Sequence, residues 1–408
     1  MITQNDKAAL RELAKKQQEL ANLPQMEERQ RRWLDHNELT GNDVMIHFET
    51  WTFLQDLMPE LKTTGDFARE IERSLYINIL NEQHIKDDKV VPKTYDLGWQ
   101  TRMLPFGLDV SRQKTEGVGF QFIHPIGDLQ QDFHLLKPSR IESDKDATLA
   151  KKDMLEDIFG DILPVRIACG SLGACLSFDI VSIMGMEDMF MNFMDYPDLF
   201  KQMMQMLTDD YIRYFRYLED SQLLVPNNGN DGLAQGSFGF SRELPAFAPD
   251  KIKTKHMWGY ADSQETKGIS PETYEEFFFP YYAQIANEYG LTSYACCEPV
   301  DEIWENCVSK LNNLRKVSIS PWCDEEYMGT ALKGTKTIYH RKPSPNYVGV
   351  GADFDESGFR EHMLRTIKAA RGCKLEISYR DAYTTTGDMN KPRRAVEITR
   401  GLVEEYWC

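Results

Sequence analysis

Six short stretches of this chain gather the residue types that do chemistry: His47-Phe-Glu-Thr-Trp51, Asn227-Asn-Gly-Asn-Asp-Gly232, Ser263-Gln-Glu-Thr266, Tyr294-Ala-Cys-Cys-Glu-Pro299, Ser320-Pro-Trp-Cys-Asp324 and Arg380-Asp381. Thiols can take a soft metal, carboxyls and phenols can hold or release a proton, and a guanidinium beside a carboxylate can orient a substrate. Residues two apart on an extended strand share a face, so Tyr294, Cys296 and Glu298 are expected to point one way and Cys297 the other unless the chain turns there. The Asn-Gly-Asn-Asp-Gly run is either a substrate loop or simply a turn built from residues that tolerate left-handed backbone.

The elements that must position these stretches alternate. Val44-Met-Ile-His-Phe48 reads as a strand and 66–83 as a helix; Pro164–Cys169 reads as a strand and the Met-rich 182–219 as helical. His256–Ala261, Leu291–Cys297, Leu314–Ser320, Thr335–His340 and Leu375–Tyr379 read as further strands, with helices at 301–311 and 356–370. Ser270-Pro271-Glu272 gives an N-cap, a first-turn proline and a first-turn acid, opening a helix that runs to Gly290. Regular strand-helix alternation implies a parallel sheet, and its repetition implies an α/β fold closed as a (β/α)8 TIM barrel. Residues 1–40 form an N-terminal helical extension lying across it, and 41–408 form the barrel. In such a barrel the chemistry sits just after each strand, where the six stretches fall.

Composition excludes several classes. The 408 residues carry a net charge of −17 with no basic stripe, which disfavours nucleic acid and anionic membranes as partners. The charged N-terminus lacks a signal peptide's apolar core and no run is long enough to span a bilayer, so a cytoplasmic location is expected. Eight irregularly spaced cysteines read as reduced thiols. Cys169, Cys175, Cys307 and Cys373 read as small buried hydrophobes, and the methionines between 184 and 206 as core filler. His47, His256 and His340 fall near strand ends and, taken singly, read as structural.

Ala8-Ala-Leu-Arg-Glu-Leu-Ala14, Asp87-Asp-Lys-Val-Val91, Asn227-Asn-Gly229, Ser263-Gln-Glu-Thr266, Cys296-Cys-Glu-Pro299, Ser320-Pro-Trp322 and Leu375-Glu-Ile-Ser-Tyr-Arg-Asp381, in that order, resemble the uroporphyrinogen-decarboxylase-like superfamily, in its branch of corrinoid-dependent methyltransferases. That branch includes the substrate-specific components of O-demethylases. The true decarboxylase carries an Arg-rich N-terminal signature that holds tetrapyrrole carboxylates; here Phe48-Glu-Thr-Trp-Thr-Phe53 stands in the corresponding region, a better wall for a small aromatic substrate.

The resemblance implies removal of a methyl group from a small methylated compound, such as a methoxylated aromatic, and its delivery to the cobalt(I) of a separate corrinoid carrier protein. The corrinoid belongs to the partner, because Asp132-Phe-His-Leu-Leu-Lys137 departs from the carriers' Asp-x-His-x-x-Gly motif. The family's coenzyme M methyltransferases hold zinc with a His-x-Cys pair and a later Cys. Tyr294-Ala-Cys296 keeps the Cys and lacks the His, and Arg380-Asp381 stands at the later position. The resemblance therefore makes Cys296, Cys297 and Glu298 the candidate zinc ligands. An ether oxygen leaves only if a Lewis acid or a proton stabilises it. Glu265, Tyr294, Arg380 and Asp381 are the candidates for supplying that proton and orienting the substrate, and His47, Trp51, Asn228 and Trp322 for lining its pocket. A homodimer is admitted by this reading. A lyase decarboxylating a small acid and a non-catalytic binding protein remain the alternatives.

Overall fold

The computed structural model describes residues 2–114, 120–246 and 250–407. Seven parallel strands form its principal sheet: β1 (Met45–Phe48), β2 (Leu172–Ala174), β3 (Trp258–Ala261), β4 (Leu291–Tyr294), β5 (Leu314–Ile319), β6 (Ile338–Arg341) and β7 (Leu375–Tyr379). Their spatial order is β2-β3-β4-β5-β6-β7-β1, so the first strand lies beside the last. Each successive pair from β3 to β7 is joined through a crossover, the arrangement that parallel strands require.

Six of the strands fall where the apolar runs place them. The seventh does not. Val165–Ile167 pairs with Tyr95–Leu97 in a separate two-stranded ladder, and the principal sheet instead takes Leu172-Gly-Ala174, a triad too short to carry a periodic signal. The helix expected at 301–311 is a run of turns with a short 3-10 segment at Val308–Lys310. Its main-chain bonds mix three- and four-residue spacings, as in Ile303 N to Val300 O and Cys307 N to Ile303 O, while Val300, Cys307 and Val308 are buried as an amphipathic pattern demands.

The helix begun at Ser270 forms as expected, with Ser270 Oγ accepting from Thr273 N at 3.2 Å, and it runs as two pieces, Pro271–Phe277 and Phe279–Ala286, with Pro280 near the break. The methionines divide. Met184, Met189, Met203 and Met204 are fully buried, but Met186, Met191 and Met194 are exposed, because the helix Met186–Asp195 lies on the surface and turns only one stripe inward.

The first forty residues form two helices, Gln4–Ala21 and Pro24–Asn37, broken where Leu23 precedes Pro24 and must leave the helical region. The first packs on the helices Asp66–Leu80 and Lys145–Phe159. The second covers the N-terminal ends of the strands: Trp33 Nε1 donates to Asp88 O at 2.8 Å, and Asn37 Nδ2 donates to Phe238 O and Phe240 O, each at 2.9 Å.

A short antiparallel hairpin, Gly232–Leu233 paired with Ser237–Phe238, enters the concave face of the sheet from that same end. Its residues touch the inward side chains of four strands: Trp258 Nε1 of β3 donates to Gly239 O, Lys316 Nζ of β5 to Ser237 Oγ, Ser378 Oγ of β7 to Gly236 O, and the ring of His47 in β1 lies edge-on to Phe238. The sheet is therefore wrapped around the hairpin, with a polar layer of Lys316, Glu376, His340 and Ser318 inside it and the aromatic and aliphatic core outside, between strands and helices. Among the described residues, no helix is long and apolar enough to cross a membrane.

Candidate functional site

The hairpin tip rises to the C-terminal ends of the strands, and there it ties together side chains from four of them. Gln235 Oε1 accepts from both Lys342 Nζ, just past β6, and Arg380 Nη1, just past β7. Gln235 Nε2 donates to Tyr260 Oη of β3 at 2.6 Å, and Tyr260 Oη donates to Asp262 Oδ2 at 2.5 Å. Arg380 Nε in turn pairs with Glu49 Oε2 at 2.8 Å, and Lys342 Nζ also donates to Cys296 O at 2.7 Å. The tip reaches this position through two left-handed residues, Gln235 (φ +69°) and Gly236 (φ +79°). A side chain at Gly236 would be strained by its left-handed backbone and crowded as well, since a Cβ there would stand 3.2 Å from Glu49 Cγ and 3.3 Å from Ser378 Cβ.

Charge at this mouth is divided between two cations, the buried Lys342 and the half-buried Arg380, and a set of crowded carboxyls. Burial pushes the Asp262 carboxyl well above the usual carboxylate range, and the neighbouring Glu298 charge adds to the effect, so the protonated form of Asp262 is favoured relative to a free carboxyl. Burial acts against the Arg380 charge, but Glu49 and Asp381 outweigh it and keep the guanidinium protonated. Tyr260 is pushed up by burial and by Asp262, which leaves it a neutral donor. The mouth thus presents a carboxyl whose protonated form burial favours, a few hydrogen bonds from two positive groups, the arrangement that stabilises an oxygen acquiring negative charge.

The expected residues are brought together only in part. Arg380 and Asp381 stand at the mouth, with Asp381 itself left-handed (φ +61°). Cys296 and Cys297 lie beside them, half-buried, with their Sγ atoms 3.5 Å apart. Either thiol can donate to the other, and their contact lowers the Cys297 pKa to about 7 and raises that of Cys296.

The expected alternation of Tyr294, Cys296 and Glu298 fails for a register reason: Ser293 of β4 sits opposite Tyr260 and Lys316 on the inward face, so Tyr294 points outward. There its hydroxyl bonds Tyr274 Oη and, at 2.8 Å, Ser263 Oγ, with no solvent exposure at all. Ala295 (φ +78°) then turns the chain, and the Glu298 carboxylate folds back to accept from Ser263 N at 2.9 Å and Cys296 N at 2.8 Å.

Glu265 is buried behind the mouth, accepts from Ser177 Oγ at 2.7 Å, and is pushed up by desolvation. His47 faces inward and pairs through Nδ1 with Asp87 Oδ2 at 2.8 Å; the same oxygen accepts from Phe48 N, and Oδ1 accepts from Lys89 N, so this histidine is held in a built framework. Trp51 and Trp322 are exposed on loops after β1 and β5, and Lys267 Nζ sits 4.9 Å over the Trp322 ring. Asn228 is at the other end of the sheet. Its neighbour Asn227 bonds both N and O of Trp258, the first residue of β3, while Asn228 Nδ2 donates to Ser241 O and Leu244 O; the run 227–232 leads into the hairpin from below.

The zinc expectation can be tested against this donor set. Both Glu298 oxygens already accept main-chain N–H bonds, no histidine adjoins the thiols, and among the described residues no group of three or more His, Cys, Asp or Glu side chains is arranged to hold a metal ion. A preformed ligand set for zinc does not fit these residues as they lie.

Four members of the site were missed by sequence reasoning. Tyr260 lies in β3 and Asp262, two positions on and just past the strand's last residue, continues the same inward face, as Lys342 continues the inward face of β6 beyond His340. Extending the period-two pattern one step further would have found all three. Gln235 had no such signal, because only the threading of the hairpin brings it there.

No family model matches the chain, and no curated protein does. Among solved structures, a methyltransferase from Methanosarcina mazei superposes with a TM-score of 0.53 over 93% of this chain and 99% of that one, at 11% identity. The two share an overall fold.

Proposed function

We propose that this protein is a methyltransferase that takes a methyl group from a small methylated substrate, such as a methoxylated aromatic, and passes it to the cobalt(I) of a separate corrinoid protein in the cytoplasm. The proposal includes closure of the principal sheet into a (β/α)8 barrel over 41–408, with residues 1–40 as a helical extension. Supporting closure, β1 and β2 are the sheet's two edges, the 87–91 segment bonds β1 through Asp88 N to Ile46 O, and inward side chains of β1, β3, β5 and β7 converge on one hairpin. The methyltransferase of like fold supports the reaction class.

The observation that carries the reading is the hydrogen-bonded chain from Asp262 through Tyr260 to Gln235, which ends on the Lys342 and Arg380 cations, with burial raising the Asp262 pKa well above the usual carboxylate range. The partner's cobalt nucleophile attacks the methyl carbon and the carbon–oxygen bond breaks. Asp262 delivers its proton to the departing oxygen, and Arg380 and Lys342 stabilise the charge that develops there before the proton arrives. Asp262 then regains a proton from solvent, and a neutral hydroxylated product leaves. No step runs through zinc, although the Cys296 and Cys297 thiols remain the place to look for a bound metal.

The test combines metal content with methyl transfer from a panel of methoxyaromatics to chemically reduced cob(I)alamin. Transfer by the wild type, reduced at least about 100-fold in Asp262→Asn, is the expected result. Transfer that survives this change, or that depends on stoichiometric zinc lost in Cys296→Ala, would overturn the acid assignment; no transfer from any donor would overturn the function. Release of carbon dioxide from a small acid without any corrinoid would favour a lyase, for which the same two cations would hold a carboxylate.

A further inference from the structure

The adjacent thiols Cys296 and Cys297 suit a second chemistry that does not depend on the methyltransferase reading. Neighbouring residues on an extended strand point to opposite faces, which would hold the two sulfurs well apart. Here the left-handed turn at Ala295 and the clamp of Glu298 on Cys296 N take the pair out of the strand, and both sulfurs come to one side, 3.5 Å apart. A disulfide needs about 2.05 Å, so an approach of about 1.5 Å would close it. Both residues are half-buried at the open end of the sheet, where a small molecule can reach them, whereas Cys307 and Cys373 are buried elsewhere in the fold and Cys323, also buried, has its Sγ against Glu298 O at 3.8 Å.

We infer that Cys296 and Cys297 form a reversible oxidative modification site, closing a vicinal disulfide on exposure to a small disulfide of the glutathione class. One thiolate attacks a sulfur of the oxidant, forming a mixed disulfide and releasing one small thiol. The neighbouring cysteine, as thiolate, then displaces the second small thiol. Both cysteines lose a proton and together two electrons, and the oxidant is reduced to two thiols. The product is a small ring closed across one peptide bond, which reorients that peptide and with it the Cys296 carbonyl on which Lys342 Nζ rests. Oxidation would thereby loosen one of the two cations that the hairpin tip gathers, and would also remove both thiols from any metal.

The experiment uses the full chain and oxidised glutathione as the probe, read by intact mass, thiol titration and peptide mapping. The expected result is a mass lower by two hydrogens, two fewer titratable thiols out of the eight in the sequence, a cross-link within the 296–297 peptide, and full reversal by dithiothreitol. Cys297→Ser should abolish the cross-link and leave a single glutathione adduct on Cys296. Retention of all thiols, a stable glutathione adduct on the wild type, or a cross-link that maps to Cys323 would each overturn the inference. None of these readouts requires methyl transfer, so the two readings stand or fall separately.

Discussion

Replacing Lys316 by methionine should destabilise the protein strongly, in a way that pH reveals. Lys316 Nζ donates to Glu376 Oε2 at 2.7 Å and to Ser237 Oγ at 2.5 Å, lies over the rings of Trp33 and Trp258, and shares with Glu376 a complete absence of solvent exposure. Burial opposes the Glu376 charge, but Lys316 outweighs it and holds the carboxyl well below its usual range. Its other oxygen has no hydrogen-bond partner among the described residues, and the adjacent His340 is held neutral by burial, its pKa pushed down to about 3. Methionine keeps the stem and removes the buried ammonium that pairs with Glu376. Leaving one partner of a buried pair uncompensated costs about 3–5 kcal/mol, a large share of a total stability of about 5–15 kcal/mol.

In the wild type the folded carboxyl titrates below the unfolded one, so its contribution is complete above the unfolded pKa of about 4.3 and is lost as pH falls through the folded value. Without the cation, burial raises the folded pKa above the unfolded one, and the sign reverses. The mutant's deficit should be greatest near neutral pH and should narrow as pH falls toward about 5. Tryptophan fluorescence during chemical denaturation reads this directly, since two of the seven tryptophans flank the ammonium. The double variant Lys316→Met, Glu376→Leu should recover most of the loss, because an apolar pair of similar volume leaves no buried charge. A single-mutant loss below about 1 kcal/mol, or a double variant no better than Lys316→Met, would refute the reasoning.

Three further outcomes follow from the site and its supports. Because the Asp262 pKa is raised and the acid must be protonated, kcat for methyl transfer should fall as pH rises through the raised value, a limb that Asp262→Asn removes from the pH-rate profile. Gly259→Ala should unfold or severely destabilise the chain, since the new Cβ would lie 2.0 Å from Tyr289 Cγ, a ring wedged between sheet and helices; a melting temperature within a few degrees of wild type would contradict this packing. Trp51→Ala and Trp322→Ala should leave the melting temperature unchanged because both rings are exposed, while raising KM for aromatic donors if they wall the pocket; unchanged KM in both would remove them from the substrate's path.

The sequence alone determined the elements whose signals are local. Ser270-Pro271 capped a helix because hydroxyl and pyrrolidine satisfy a helix start wherever they occur, and Leu375–Tyr379 was a strand on apolar content alone. Alternation of such elements implied parallel strands, and the places just after them contained Arg380, Asp381 and the two thiols. Face and end were a different matter. Tyr294 looks inward by counting from Cys296, yet the register of β4 against β3 and β5 turns it outward, and a one-residue difference of register reverses every side chain on a strand. Asn228 looks like a mouth loop by composition and lies at the opposite end, because its segment runs down to the hairpin base. The meeting of Gln235 with Tyr260, Lys342 and Arg380, residues 25 to 145 positions away, was decided by tertiary structure alone, since a hairpin threading a curved sheet leaves no periodic mark on the residues it joins.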